Sequence, residues 1–136
     1  MKKQIEKAAK IITASFKNGG KLLICGNGGS AADAQHIAAE LVGRFKKERK
    51  ALPAIALTTN TSILTAIAND YGYDVVFKRQ IEALGKKGDV LLAISTSGNA
   101  KNVLEAVKLA NKIGVQTIAL TGGTGGELAK LAKFSI

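Results

Sequence analysis

Apolar positions along this chain follow two alternating rhythms. Ile5, Ala8, Ala9, Ile12 and Phe16 recur at helical spacing and predict an amphipathic helix over 3–17, stopped by Asn18-Gly19-Gly20. Leu22-Leu23-Ile24-Cys25 is apolar at every position, the pattern of a strand covered on both faces. Ala31 to Val42 returns to helical spacing with a small or apolar inner face, closed by Gly43. Ala54 to Leu57, after Pro53, reads as a second strand, and two helices follow near 61–69 and 74–84. Asp89 to Ile94 is a third strand; Val103, Ala106, Val107 and Ala110 mark a further helix; Gln116 to Leu120 is a fourth strand. Gly122-Gly123-Thr124-Gly125-Gly126 leads into a short helix, and Lys133 to Ile136 opens a fifth strand.

Fully apolar strands alternating with helices predict an α/β fold. The arrangement is a three-layer sandwich, flavodoxin- or Rossmann-like, with a parallel, mostly five-stranded sheet and helices on both faces. The 136 residues suit one domain, 1–136. No repeat, low-complexity segment or linker divides it. No helix follows the fifth strand to cover it, so the chain is expected to be truncated or to continue beyond Ile136. In such sheets the ligand sits outside the carboxyl ends of the strands.

Composition changes this picture little. Aromatics are 4%, so the core is built from Ile, Leu, Val and Ala. The apolar runs are too short for a bilayer, and Met1-Lys2-Lys3 opens an amphipathic pattern rather than a secretory signal. Cys25 is the only cysteine, which fits a reducing cytoplasm. The net charge of +10 raises nucleic acid as a partner. Yet the cations are spread over helix faces, and only Arg44-Phe45-Lys46-Lys47-Glu48-Arg49-Lys50 is dense. No aromatic stacking platform accompanies it, so a solvated surface explains most of this charge. The cluster follows a candidate site helix, where it could attract an anionic substrate.

Two loops carry the candidate chemistry. Gly26-Asn27-Gly28-Gly29-Ser30 and Ser95-Thr96-Ser97-Gly98-Asn99 each follow a buried strand and open a helix. Unpaired N–H groups and the positive end of the helix dipole favour an anion there. Neither loop is a nucleotide fingerprint: position 31 is Ala, no acidic residue ends the second strand, and no Walker lysine follows. The first loop alone is readily an ordinary tight turn. In the second, three successive hydroxyls exceed what capping needs. His36, the only histidine, precedes Glu40 by four residues, so the two share a helix face. They could hold one divalent metal, or leave Glu40 as a base, or form a solvated surface pair. Two ligands are too few for zinc, so others would come from another segment or subunit. Asn69-Asp70-Tyr71-Gly72 reads as a turn or as a pair of sugar-binding side chains. Cys25 reads as core rather than nucleophile.

In order along the chain, Gly26-Asn27-Gly28-Gly29-Ser30, Asp33-Ala34-Gln35-His36, Glu40-Leu41-Val42-Gly43-Arg44, Pro53-Ala54-Ile55, Asn69-Asp70-Tyr71-Gly72, Gly88-Asp89-Val90-Leu91-Leu92 and Ser95-Thr96-Ser97-Gly98-Asn99 resemble the sugar isomerase (SIS) domain family, in its branch acting on sedoheptulose 7-phosphate. The resemblance runs over essentially the whole chain. It implies a cytoplasmic homotetramer with active sites at subunit interfaces. The implied reaction converts sedoheptulose 7-phosphate to glycero-manno-heptose 7-phosphate, for lipopolysaccharide heptose. It further implies that Asn27, Gly28, Gly29, Asn69 and Asp70 contact substrate, that Ser95, Thr96 and Ser97 hold its phosphate, that His36 binds zinc, and that Glu40 binds zinc or acts as the catalytic base on bound substrate. Two departures accompany it. Ala100 stands where the family usually has Ser. The family's Gln and His zinc ligands lie on a C-terminal helix beyond the fifth strand, and this chain holds no second histidine. A non-catalytic reading on the same fold is the alternative: a sugar-phosphate-binding or replication-initiator-associating protein.

Overall fold

A computed structural model describes all residues, 1–136. Helix α1 (Lys2–Lys17) leads into β1 (Leu22–Cys25), α2 (Gly29–Val42) and β2 (Ala54–Ala56). Next come α3 (Thr61–Tyr71), a 3-10 turn at Tyr73–Val75, α4 (Val76–Leu84) and β3 (Val90–Ser95). The chain closes with α5 (Lys101–Ile113), β4 (Gln116–Thr121), α6 (Gly126–Leu131) and β5 (Phe134–Ser135). Every predicted element is present, with shifted ends. α2 begins at Gly29 rather than Ala31, because Gly28 takes φ +57 and releases the chain directly into the helix. α3 runs on to Tyr71, where Gly72 at φ +95 stops it. Leu57 lies outside β2, although its N–H still donates to the Ile24 carbonyl.

All strand pairs are parallel, in the order β2-β1-β3-β4-β5. The all-apolar runs are covered on both faces, as a parallel sheet requires. Leu23, Cys25, Leu91, Ala93 and Ala119 face one way, into a core completed by Phe77, Ile81, Val103, Val107 and Leu128. Leu22, Ile24, Val90, Leu92 and Ile118 face the other way, against Ala8, Ala34 and Ala38 of α1 and α2. No buried side-chain polar atom lacks a hydrogen-bond partner.

Asp89 shows how that satisfaction is reached. Its side chain is 4% exposed and pairs with the Lys21 ammonium. It also accepts the N–H of Lys21 at 3.0 Å and of Lys86 at 2.8 Å. Burial works against the charged carboxyl, but the Lys21 and Lys86 donors outweigh it and hold the group below its usual range. Cys25 is wholly buried, as expected of a core residue, and burial pushes its thiol up to about 12.

Candidate functional site

The strand order reverses direction between β1 and β3, so the chain leaves these two neighbours toward opposite faces of the sheet. A crevice opens at such a switch point beyond the carboxyl ends. Both predicted loops stand there, side by side: β1 pairs with β3 through Cys25 and Ala93, just before each loop begins.

The first loop is shaped by close approach. A Cβ at Gly26 would come within 2.7 Å of Ser30 Cβ and 3.0 Å of the Ile94 carbonyl oxygen. Gly28 and Gly29 are exposed, and α2 starts without a side-chain cap. The second loop is buttressed from behind. Gly122 N–H donates to the Thr96 carbonyl at 3.1 Å, and Leu128 N–H donates to the Gly98 carbonyl at 2.9 Å. Asn99 Oδ1 accepts the Glu127 N–H at 3.1 Å. Thus the glycine-rich segment after β4, to which the sequence assigned no role, supports this loop. Ser95 is buried while Thr96 and Ser97 are exposed. Ser97 Oγ accepts the Asn99 N–H at 3.2 Å. No hydroxyl caps α5, whose N-cap is Ala100. Two uncapped helix starts therefore flank one crevice, each offering free N–H groups to an anion.

Asn27 is joined to Asn102, a residue that sequence reasoning missed. Asn27 Nδ2 donates to Asn102 Oδ1, and Asn102 Nδ2 donates to Asn27 Oδ1, both at 2.9 Å. The Tyr73 hydroxyl also donates to Asn27 Oδ1, at 3.3 Å. The only signal for Asn102 was its place on the buried stripe of α5 beside Val103, Ala106, Val107 and Ala110. Asn69 and Asp70 lie exposed in the last turn of α3, where Asn69 Nδ2 donates to Asp70 Oδ1 at 2.9 Å. Neither bonds to either loop; Tyr73, just past Gly72, makes that link instead.

His36 and Glu40 pair as their spacing predicts, Nε2 to Oε1 at 3.1 Å, with side chains 76% and 37% exposed. They do not reach the crevice. α2 runs back from the first loop, so Glu40 sits ten residues, or roughly 15 Å, along the axis from Ser30. The pair borders a groove of about 860 Å³ between α1 and α2, alongside Phe16, Lys17 and Leu22 at the opposite rim of the sheet. Within one chain, helix length alone sets Glu40 apart from the two loops. Arg49, read before only as part of a basic cluster, ends this helix. Its guanidinium donates to the carbonyls of Glu40 at 2.7 Å, Leu41 at 2.9 Å and Lys50 at 3.0 Å. As metal donors, His36 and Glu40 have the bite of one ion whose bonds run about 2.0–2.2 Å. They fit half a tetrahedral site, and no group of three or more His, Cys, Asp or Glu is gathered in the chain.

Comparison with known proteins agrees with this architecture. The SIS domain family matches residues 1–122. The phosphoheptose isomerase of Aliarcobacter butzleri is 60% identical over 136 residues, which span the whole chain and 72% of that protein. That of Aquifex aeolicus is 60% identical over 132 residues, 97% of this chain and 69% of the relative. The solved phosphoheptose isomerase of Neisseria gonorrhoeae superposes with a TM-score of 0.92 at 52% identity, covering 98% of this chain and 71% of that one. With its parallel sheet and paired loops, the chain belongs to the SIS domain family and, within it, to the phosphoheptose isomerases.

Proposed function

We propose that the chain converts D-sedoheptulose 7-phosphate to D-glycero-D-manno-heptose 7-phosphate. One observation carries this reading: two open helix starts face one crevice in a chain that shares 60% of its residues with a phosphoheptose isomerase. The phosphate lies against the second loop, held by Ser95, Thr96, Ser97 and the N–H groups at the start of α5. The sugar extends toward Asn27, Gly28 and Gly29, and toward Asn69 and Asp70. Ala100 offers no hydroxyl to the phosphate, so backbone N–H groups carry more of that contact.

The reaction is a ketose–aldose isomerisation through an enediol. Glu40 takes a proton from C1 and returns it to C2, while a second group moves the hydroxyl proton between O1 and O2. Since Glu40 and the loops of one chain lie at opposite rims, Glu40 serves the crevice of another copy, in a homotetramer with shared sites. His36 Nε2, with Glu40 Oε1 where Glu40 does not serve as the base, would supply up to half the ligands of a zinc ion, the rest coming from another segment or subunit. Such an ion would supply Lewis-acid polarisation of the substrate carbonyl. No helix is long and apolar enough to cross a membrane, and the setting proposed is the cytoplasm, on the way to envelope heptose.

Turnover of sedoheptulose 7-phosphate, followed by NMR with and without zinc, tests this. Glu40→Gln is expected to lower kcat by about 10²–10⁴-fold with little change in KM. Normal turnover by that variant would remove Glu40 as the base. The separation of Glu40 from the loops favours a second reading, a sugar-phosphate-binding protein without turnover. Tight binding of the sugar phosphate with no product would establish it.

A further inference from the structure

We propose that Asn102 is a positioning residue which, through Asn27, locks the two loops at one spacing and so sets their grip on the phosphorylated ligand. The proposal rests on the sugar-phosphate reading above. Asn102 is 3% exposed, at the second position of α5, directly behind the phosphate loop. The Asn27–Asn102 pair supplies the only side-chain hydrogen bonds that cross from the first loop to the helix opened by the second.

The pair is reciprocal, and that gives it its function. Each amide donates to the oxygen of the other, so turning either one alone sets oxygen against oxygen and N–H against N–H. Both orientations are therefore fixed together. With Asn102 and Tyr73 both bonded to it, Asn27 Oδ1 is saturated. One N–H of Asn27 stays free, and its direction is dictated by Asn102. A ligand held by both loops meets a preset gap, without the cost of ordering the first loop on binding. Tyr73 extends the link to the segment that carries Asn69 and Asp70.

The full chain, Asn102→Ala, Asn27→Ala and the double variant are compared in two measurements. Titration with inorganic phosphate, read by amide NMR of the two loops, needs no turnover. Steady-state kinetics on sedoheptulose 7-phosphate reads the KM against kcat. Asn102→Ala is expected to weaken phosphate binding and raise KM about tenfold, a typical effect of a lost hydrogen-bond pair, with kcat within about threefold; Asn27→Ala, which also loses its own contact with the sugar, is expected to weaken phosphate binding to the same extent and to raise KM at least as much. The double variant should match Asn27→Ala in KM and both singles in phosphate affinity, because either change removes the same link. Losses that multiply in the double variant overturn the proposal. So does an Asn102→Ala protein that melts earlier but keeps phosphate affinity and KM within twofold of the parent. If Asn102→Ala does not fold, Asn27→Ala decides alone, since its side chain lies in a loop and leaves the core intact; unchanged phosphate affinity there also overturns the proposal. Absence of turnover in the parent, with phosphate still bound in the crevice, counts against the isomerase reading and leaves the phosphate arm to judge Asn102.

Discussion

Gly98 has no freedom to be anything larger. It sits at φ +67, and a Cβ there would overlap the carbonyl of Gly125. Gly98→Ala should therefore cost about 2 kcal/mol or more and displace Ser97 and Asn99 from the crevice. A lowered thermal midpoint together with lost phosphate binding would show it; an unchanged midpoint would refute it. The sequence made this loop legible because glycine and three hydroxyls crowd into five positions. It hid Asn102 for the opposite reason. A single amide on the buried stripe of α5 does not announce its role, and only its partner 75 residues away reveals it. Asp89 was hidden likewise, since a carboxylate opening a strand does not announce its three donors.

Helix α2 joins two jobs at its two ends. Its start is left uncapped at the crevice, and its last turn is closed by the Arg49 guanidinium. A cation at a helix C-terminus also complements the dipole. Arg49→Ala is expected to cost about 1 kcal/mol and to speed amide hydrogen exchange in Ala39–Val42, with the start of the helix unaffected. Equal exchange along the whole helix would contradict this. The periodicity located α2 and its closing Gly43 correctly, but nothing local shows that the stop is held from six residues downstream. The 3-10 turn at Tyr73–Val75 was folded into one predicted helix over 74–84, since a tight turn leaves no periodicity of its own. Asn60 caps α3 by accepting the Ile63 N–H at 3.0 Å. Asn60→Ala should cost about 1 kcal/mol, seen as a shift in the urea midpoint.

Across the molecule, the layering and the strand count were readable from apolar runs alone, because a strand buried on both faces has no polar alternation to confuse. The separation of Glu40 from the loops was not, since it depends on which way α2 runs from the crevice. Acid stability is also a property of the whole fold. Asp89 ties the segment before β1 to the start of β3, and its carboxyl is held below the ordinary value. On acidification the unfolded chain takes up this proton first. The stabilisation is thus complete above about pH 4, the unfolded carboxyl range, and is lost as pH falls through the lowered folded value. Urea midpoints measured from pH 7 down to pH 3 should fall for the parent. Asp89→Asn, weaker by about 3 kcal/mol at neutral pH, should show a flatter profile. Parallel profiles would exclude Asp89 as the source.

The length of α2 imposes an arithmetic on dilution. Under the proposed function, anion capture draws on the loops of one polypeptide, whereas proton transfer by Glu40 needs a neighbour. Lowering the protein concentration should abolish turnover per molecule while leaving phosphate uptake per molecule intact, so that the two halves of the reaction come apart in the same tube.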